Sequence, residues 1–241
     1  MLAVTLRFLI PVYNPGTCKA SHQACNSLSD TISDIISDTT MKYCQHCAGP
    51  ITHHIPPGDD KLRYCCIACD VVFYQNPNNI VGTLPIYEDK VLLCKRAIEP
   101  RYGKWTLPAG FMENGETTLQ GAIRETAEEA GAVVLPEDCS LYTLFNLPYI
   151  NQVYLFFHTQ LRSLDFNPGE ESLEVALFSE AEIPWSELAF PVVRITLEHY
   201  FADRQNALYP VRMFDLHYSA ERQLSTFLVS SSTTNTCRSS C

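Results

Sequence analysis

Three glutamates at helical spacing are the side chains of this sequence best placed for chemistry. Glu125, Glu128 and Glu129 lie within the stretch 110–132, GFMENGETTLQGAIRETAEEAGA, and at about 100° per residue they share one face of a helix. Like charges at these offsets repel one another, so the pattern does not stabilise a helix by itself. Carboxylate oxygens bind hard divalent cations such as Mg²⁺ and Mn²⁺, which also take substrate phosphates. The acidic face is therefore either a metal site or a solvated surface.

The residues around the glutamates predict the helix that positions them. Residues 113–115 favour a turn, Thr117 and Thr118 supply start signals, and Gly131 is a natural C-terminal cap. We therefore expect a helix over residues 117–130. Its opposite face would pack on a core and comprises Leu119, Ala122, Ile123, Thr126, Ala127 and Ala130.

The order of charged residues and glycines in this stretch resembles the signature of the Nudix hydrolase family. The chain agrees with that signature at Gly110, Glu116, Arg124, Glu125, Glu128, Glu129 and Gly131. Thr126 and Ala132 depart from it, because the family usually has bulkier aliphatic residues there. Both departures concern packing, so the resemblance favours the metal site over the solvated surface.

The resemblance implies a role for each matched residue. The three glutamates would bind the catalytic Mg²⁺ or Mn²⁺, with the backbone carbonyl of Ala109 as a further ligand. Arg124 would orient the glutamates and Glu116 would help to fix the loop. Nudix enzymes hydrolyse a diphosphate that links a nucleoside to another group, and metals suit this reaction because they neutralise phosphate charge and activate water.

Composition bounds the class of protein. The chain has 241 residues, 46% of them hydrophobic, which allows one good core and a small second module. Its 27 acidic and 17 basic residues give a net charge of −10, which argues against a broad basic surface for nucleic acid. No apolar run reaches the roughly 18 residues of a membrane span, so we expect no membrane partner.

Four of the eleven cysteines form two CxxC pairs. They are Cys44 with Cys47 and Cys66 with Cys69. This spacing predicts a four-cysteine zinc ribbon over residues 41–73, in a reducing compartment that we expect to be the cytoplasm. A site closed by four thiolates is structural, and Cys65 is the spare cysteine. Zinc ribbons also occur in nucleic-acid-binding proteins, but the few basic residues here favour a structural module.

Segments outside the two modules are expected to connect them or to be disordered. Residues 1–40 match neither a signal peptide nor a transit peptide, and are either a disordered extension or sequence that precedes a true start at Met41. Residues 74–79 form a linker. Residues 216–241, rich in serine and threonine, form a disordered tail.

Residues 80–215 show the element pattern of an α/β domain. Strands are predicted at residues 80–87, 90–97, 105–108, 141–146, 153–161 and 172–178, and a second helix at residues 192–204. This order predicts an α/β sandwich. It agrees with the Nudix α/β/α sandwich that the resemblance implies, here preceded by a small four-cysteine zinc ribbon.

Further candidate residues lie outside the signature. Arg96 and Arg101 would contact substrate phosphates, or are surface charges, and Trp105 would stack on a substrate ring, or belongs to the core. In Nudix enzymes a glutamate outside the signature often serves as a metal ligand or general base. Glu174 is the first candidate for that role and Glu171 is the second.

The layout also resembles one branch of the family. A four-cysteine ribbon followed by YQNP, LLCKRAIEP and GKWTLPAGFMENGET is similar to zinc-ribbon-containing bacterial Nudix proteins and to plant FAD pyrophosphatases. The resemblance implies a small-molecule nucleotide substrate, FAD or ADP-ribose, hydrolysed to AMP and a second monophosphate. NADH ranks lower, because the SQPWPFP-type motif of NADH pyrophosphatases is absent. Homodimers are common in the family. The alternative is a non-catalytic nucleotide sensor whose ribbon binds nucleic acid or protein.

Overall fold

The structure, a computed structural model, describes residues 41–219 and 224–232. The extension expected at residues 1–40 lies outside the described residues. Within them the chain forms a small three-stranded sheet, followed by a nine-stranded mixed sheet and two α-helices. No helix among the described residues is long and apolar enough to cross a membrane.

The small sheet carries the cysteine pairs. Its strands are β1 (Ile51–His54), β2 (Arg63–Cys66) and β3 (Val72–Phe73), paired antiparallel in that order. The two CxxC turns have the same geometry: the Ala48 N–H donates to the Cys44 carbonyl and the Asp70 N–H donates to the Cys66 carbonyl. This is the ribbon module that the cysteine spacing predicts.

The large sheet forms the main domain. Its strands are β4 (Asn78–Tyr87), β5 (Lys90–Arg96), β6 (Trp105–Thr106), β7 (Ala109–Phe111), β8 (Ser140–Leu147), β9 (Gln152–Gln160), β10 (Ser172–Phe178), β11 (Val211–Tyr218) and β12 (Leu224–Ser232). The order is β10-β5-β4-β9-β8-β11-β12, with β6 paired to β5 and β7 paired to β4. Every strand that the sequence predicts is present, and β4 begins inside the predicted linker.

Two helices cover the two faces of this sheet. Successive side chains of a strand point to opposite faces, so Thr83 of β4 faces helix α1 (Thr118–Ala130), whereas Leu84 faces helix α2 (Pro191–Asp203). Both residues are fully buried, and burial of one leucine contributes about 2 kcal/mol. The α/β/α sandwich expected from the sequence is confirmed.

Helix α1 begins and ends as predicted. The Thr117 side chain accepts the Gln120 N–H, and the Gln120 side chain accepts the Thr117 N–H, which is a capping box. Gly131 ends the helix in the left-handed conformation with φ 61°, which glycine adopts without steric cost. The helix predicted at residues 117–130 is therefore confirmed to within one residue.

The face of the sheet toward α2 is packed with aromatic rings. His158 of β9 lies among them, with its ring centroid 4.3 Å from that of Tyr209 and 6.0 Å from those of Tyr142 and Tyr200. The histidine is 8% exposed, and burial lowers its pKa to about 4. It is therefore a neutral core residue at neutral pH.

The C-terminal edge of the sheet differs from the disordered tail expected at residues 216–241. Strand β11 pairs parallel to β8, and β12 pairs antiparallel to β11. Serine and threonine have little apolar surface to bury, so composition alone favours disorder, yet the ladder with β11 satisfies the backbone groups on one side of β12. Residues 220–223 and 233–241 lie outside the described residues.

Candidate active site

The three predicted glutamates line one cavity of about 740 Å³. On the opposite side of α1, Thr126 Oγ1 lies 2.6 Å from Thr83 Oγ1 of β4, and both side chains are fully buried. This contact between helix and sheet fixes the rotation of α1. The acidic face is thereby turned into the cavity, as the helical spacing predicts.

Arg124 connects the glutamates to the loop before the helix. Its Nη1 donates to Glu125 Oε1 at 2.8 Å and to Glu128 Oε2 at 2.9 Å. Its Nη2 and Nε donate to Glu116 at 2.8 and 3.1 Å, and Nη2 also donates to the Phe111 carbonyl. The Arg124 guanidinium lowers the pKa of Glu116 to about 2. Both residues thus occupy the positions that an orienting arginine and a loop-fixing glutamate require.

Glu129 is the most enclosed carboxylate of the cluster. It is 6% exposed, and its Oε2 accepts the Ala109 N–H at 3.0 Å. Burial raises the pKa of Glu129 to about 8. Burial also raises the pKa of Glu125, although Arg124 opposes the shift. A carboxylate desolvated beside other carboxylates is stabilised in its ionised form by a nearby cation.

Two glycines allow the backbone to approach this cluster. A Cβ on Gly110 would overlap the Glu125 carboxylate, and a Cβ on Gly169 would overlap the Glu128 carbonyl oxygen. The Gly169 N–H donates to the Glu129 carbonyl at 3.0 Å. Gly110 belongs to the signature, whereas Gly169 belongs to no motif and sequence reasoning missed it. Its close approach docks the loop before β10 against α1.

The docked loop brings two further carboxylates, Glu170 and Glu171, to the cavity wall. The charge of Glu171 contributes to the raised pKa of both Glu125 and Glu129. Glu171 therefore faces the cluster that the signature defines. Nothing in the signature points to this loop, since the close contact with the helix is a tertiary one.

Glu174, the first candidate for a further ligand or base, is not part of the cavity lining. It lies on β10, where its Oε2 is 3.5 Å from Lys95 Nζ. A bulge between Ser172 and Glu174 shifts the register of β10 against β5, and a bulge changes which face a side chain takes. Of the two candidates named from the sequence, Glu171 therefore lines the cavity and Glu174 does not.

Of the three residues expected to contact substrate, two line the cavity and one does not. Arg96 and Arg101 line the cavity, and the Arg96 guanidinium carbon lies 5.2 Å from the Phe190 ring centroid. Trp105 is not part of the lining: it is 6% exposed and its ring meets that of Phe178 edge-on at 4.8 Å. Trp105 thus takes the core position that the sequence analysis gave as its alternative, because its strand turns the ring toward Phe178 of β10.

Aromatic side chains form much of the remaining wall. Tyr149, Tyr154, Phe190 and Tyr218 line the cavity, and the rings of Tyr149 and Tyr218 meet edge-on at 4.6 Å. Burial raises the pKa of Tyr149, so its ring is neutral. Neutral aromatic rings stack on nucleobases. Three of these residues, Tyr154, Phe190 and Tyr218, come from separate elements and carry no sequence signal of a shared site.

The residues at the acidic end of the cavity fit a hard divalent cation. The signature glutamates and Glu171 offer oxygen donors, and the Ala109 backbone lines the same end. Oxygen-rich, partly open sites of this kind suit Mg²⁺ and Mn²⁺, which retain waters for a substrate or a nucleophile. The cavity can therefore hold a phosphate-bound metal beside an aromatic compartment.

The four predicted ribbon cysteines form a second, separate cluster. The Sγ atoms of Cys44, Cys47, Cys66 and Cys69 all lie within 4.8 Å of one another. The Cys44 sulfur accepts the N–H groups of His46 and Cys47, as turns that hold metal-binding thiolates do. Cys65 stands outside the cluster, with its Sγ 3.7 Å from the Arg63 carbonyl, which confirms it as the spare.

Fold and site together define a class of protein, the α/β sandwiches that present a helical carboxylate cluster to an open cavity. Comparison with family models gives the particular family: the NUDIX domain model matches residues 77–198 and the Nudix N-terminal zinc ribbon model matches residues 42–75. This chain belongs to the Nudix hydrolase family.

Individual relatives agree with this assignment. A crystal structure of a NUDIX hydrolase from Nitrosomonas europaea is 50% identical, covers 73% of this chain and 99% of its own, and has a TM-score of 0.68. The NAD-capped RNA hydrolase NudC of Pseudomonas aeruginosa is 30% identical over 70% of this chain and 59% of its own length. An ADP-ribose pyrophosphatase of Methanocaldococcus jannaschii is 28% identical over 52% of this chain and 75% of its own. The chain spans about three fifths of the length of the NudC relatives.

Proposed function

We propose that this protein is a metal-dependent pyrophosphatase of nucleoside diphosphate derivatives. It hydrolyses the diphosphate of FAD, ADP-ribose or a related compound and releases AMP and a second monophosphate. The observation that carries this proposal is the single cavity in which Glu125, Glu128 and Glu129 face a wall of aromatic rings. One end suits a metal-bound diphosphate and the other suits a nucleobase.

In this proposal the catalytic cation is Mg²⁺ or Mn²⁺ and the ribbon holds structural Zn²⁺. When bound, the catalytic cation neutralises charge on the diphosphate and lowers the pKa of water. Glu125, Glu128 and Glu129 hold it, and Arg124 keeps the first two carboxylates oriented. The four thiolates must stay reduced to bind zinc, so we also propose a reducing compartment, the cytoplasm.

The proposal includes two further roles in the same reaction, supported by residues that line the cavity. Arg96, packed on the Phe190 ring, binds a substrate phosphate at the wall. Glu171 faces the cluster from the loop before β10 and accepts the proton of the attacking water at a carboxylate oxygen. In this proposal the role of general base, for which Glu174 was the first candidate, belongs to Glu171, because Glu171 lines the cavity.

The names of the relatives narrow the substrate class. The relatives include an ADP-ribose pyrophosphatase and NAD-capped RNA hydrolases. The compounds in these names, ADP-ribose and the NAD cap, both contain an adenosine diphosphate unit. The first name supports ADP-ribose as a substrate, and the second supports NAD-type dinucleotides. NADH still ranks lower, because this chain lacks the SQPWPFP-type motif. FAD is supported only by the resemblance to plant FAD pyrophosphatases.

A hydrolysis panel tests the proposal. Purified protein with Mg²⁺ or Mn²⁺ is offered FAD, ADP-ribose, NADH and a nucleoside triphosphate, and products are separated by chromatography. We expect AMP and a second monophosphate from at least one of the first three. Glu171→Gln should lower kcat by about 100-fold or more, whereas the matched control Glu174→Gln should keep wild-type kcat. Tight binding of one compound without any turnover would favour the nucleotide sensor instead.

A further inference from the structure

A second cavity, of about 640 Å³, lies between the zinc ribbon and the main domain. We call it the ribbon cavity. The ribbon contributes His53 and Tyr64 to its wall, the segment before β4 contributes Gln75 and Asn76, and the main domain contributes Asn151. A zinc-stabilised module with only a structural role has no need of a concave surface that faces the active site.

The ribbon cavity adjoins the active-site cavity. Phe111, Tyr149, Ile150 and Gln152 line both of them. Phe111 is also tied to the catalytic helix, because its carbonyl accepts Arg124 Nη2 at 3.1 Å. A ligand held at the carboxylate cluster can therefore extend past Phe111 toward the ribbon.

The two cavities differ in the chemistry of their walls. The active-site cavity is lined by six carboxylates: Glu113, Glu125, Glu128, Glu129, Glu170 and Glu171. Among the described residues, the wall of the ribbon cavity contains no carboxylate and carries one cation, Arg63. Its remaining polar groups are mainly side-chain amides, which both donate and accept hydrogen bonds. Such a wall suits the edges of a neutral heterocycle and the hydroxyls of a sugar, rather than a second metal.

The ribbon side of this cavity also offers a ring surface. The rings of His53 and Tyr64 stack at 4.8 Å with an interplanar angle of 20°. Arg63 lies beside them, fixed by Asp59 at 2.8 Å and by the Tyr74 ring at 5.0 Å. Stacked aromatic side chains are a common platform for nucleobases, because every base has a flat π-face.

We propose that the ribbon cavity binds the second half of a dinucleotide diphosphate, the half that leaves as the second monophosphate. This inference rests on the proposed function and extends it. The diphosphate lies at the carboxylates, the AMP half occupies the aromatic part of the active-site cavity, and the second ring system occupies the ribbon cavity. The two volumes, about 740 and 640 Å³, each fall in the range of small-molecule sites, roughly 300–1,000 Å³.

The consequence is a preference between substrates of the same class. ADP-ribose has no ring system beyond its second ribose, so it leaves the ring surface of His53 and Tyr64 uncovered, whereas the isoalloxazine of FAD covers that surface. The ribbon should therefore affect KM for FAD more than KM for ADP-ribose. The effect should appear in KM more than in kcat, since the contacts are far from the reacting phosphorus.

Adjacent histidines on β1 provide a matched test. His53 lines the ribbon cavity and stacks on Tyr64, whereas His54 does not line it and its Nδ1 lies 2.9 Å from Thr52 Oγ1. We expect His53→Ala to raise the ratio of KM for FAD to KM for ADP-ribose by about 5- to 10-fold, as loss of one stacking contact does. His54→Ala should leave that ratio at the wild-type value, and both variants should retain zinc.

Three results would overturn the proposal. The first is a ratio of KM for FAD to KM for ADP-ribose that is unchanged in His53→Ala, and the second is an equal change of this ratio in His54→Ala. The third is an effect of His53→Ala on KM for a 5′-NAD-capped oligonucleotide alone, which would show that the cavity binds RNA. Calorimetric Kd values for FAD and ADP-ribose, measured without catalytic metal, separate this inference from the proposed function. If the wild type hydrolyses none of FAD, ADP-ribose and NADH, the proposed function fails. The ratio of the Kd values for FAD and ADP-ribose in His53→Ala and the wild type still decides whether the ribbon cavity binds the second half.

Discussion

The carboxylate cluster and the thiolate cluster both consist of side chains that can bind a cation, and they differ in access. The glutamates lie on a helix face that opens into a cavity of about 740 Å³. The four thiolates lie on two tight turns, and none of them lines that cavity or the ribbon cavity. An open cluster leaves coordination positions for substrate and water, whereas a closed one serves only to hold the chain together.

The surroundings of the two clusters reinforce this difference. Glu125 and Glu129 are desolvated and have raised pKa values, so their ionised forms lower the stability of the folded protein when no cation is bound. The thiolates instead receive backbone N–H groups from their own turns. The difference teaches that access, rather than the number of ligands, distinguishes a site that can admit substrate from a closed one.

The largest expected effect is that of Glu129→Gln. The substitution keeps the shape of the side chain but removes an anionic oxygen ligand for the cation. We expect turnover of ADP-ribose to fall by about 1,000-fold, with zinc content and Tm close to those of the wild type. Metal analysis and thermal unfolding accompany the kinetics. Wild-type turnover in this variant would remove Glu129 from the catalytic site.

Cys66→Ser should have the opposite effects on zinc content and on activity to those of Glu129→Gln. It opens the closed cluster, so we expect loss of the bound zinc and rapid proteolysis within the ribbon, while the main domain keeps most of its turnover of ADP-ribose. Cys65→Ser is the matched control, since its Sγ lies outside the cluster. Zinc retained in Cys66→Ser, or lost in Cys65→Ser, would contradict the assignment of Cys66 to the zinc cluster and of Cys65 outside it.

Gly110→Ala separates geometry from charge in the open cluster. The new Cβ would overlap the Glu125 carboxylate, which is the end of a flexible side chain and can move aside. We expect activity to fall by about 10- to 100-fold, as displacement of a metal ligand does, with little change in Tm. Gly82→Ala provides the contrast, because its Cβ would overlap the Ala109 Cβ and the Pro108 carbonyl and should lower Tm. Equal losses of Tm in both variants would show that Gly110 is needed for folding rather than for the site.

The last prediction concerns the pH dependence of stability and leaves catalytic activity at neutral pH unchanged. His158 titrates near 6.5 when unfolded and near 4 when folded, so the unfolded chain takes up the proton first as pH falls. The stability due to neutral His158 is complete above pH 6.5 and is lost progressively toward pH 4, by up to about 3 kcal/mol. Urea unfolding at several pH values should show a shallower decline in His158→Phe. Identical declines in both proteins would mean that other groups set the acid sensitivity.

Features set by neighbouring residues could be predicted from the sequence, whereas contacts between distant segments could not. Thr117, Gln120 and Gly131 set the ends of α1 through contacts within a few residues, so the direction of the glutamates follows from spacing alone. Glu171 reaches the cluster only because Gly169 lets a distant loop touch the helix.

Two other features show the same limit of sequence reasoning. Trp105 has the side chain of a stacking residue, yet strand alternation and the Phe178 ring bury it. The ribbon cavity is assembled from three segments that no single motif spans. Strand β12 is stabilised by its neighbour β11 rather than by its own serine-rich composition.

The most direct test of the central claim is metal removal and replacement with two readouts. Protein is treated with EDTA and dialysed, zinc is counted by mass spectrometry, and hydrolysis of ADP-ribose is measured before and after addition of Mg²⁺ or Mn²⁺. The account predicts that activity is lost while one zinc per chain remains, and that Mg²⁺ or Mn²⁺ restores it. Activity that follows the zinc content and does not return with Mg²⁺ or Mn²⁺ would contradict it.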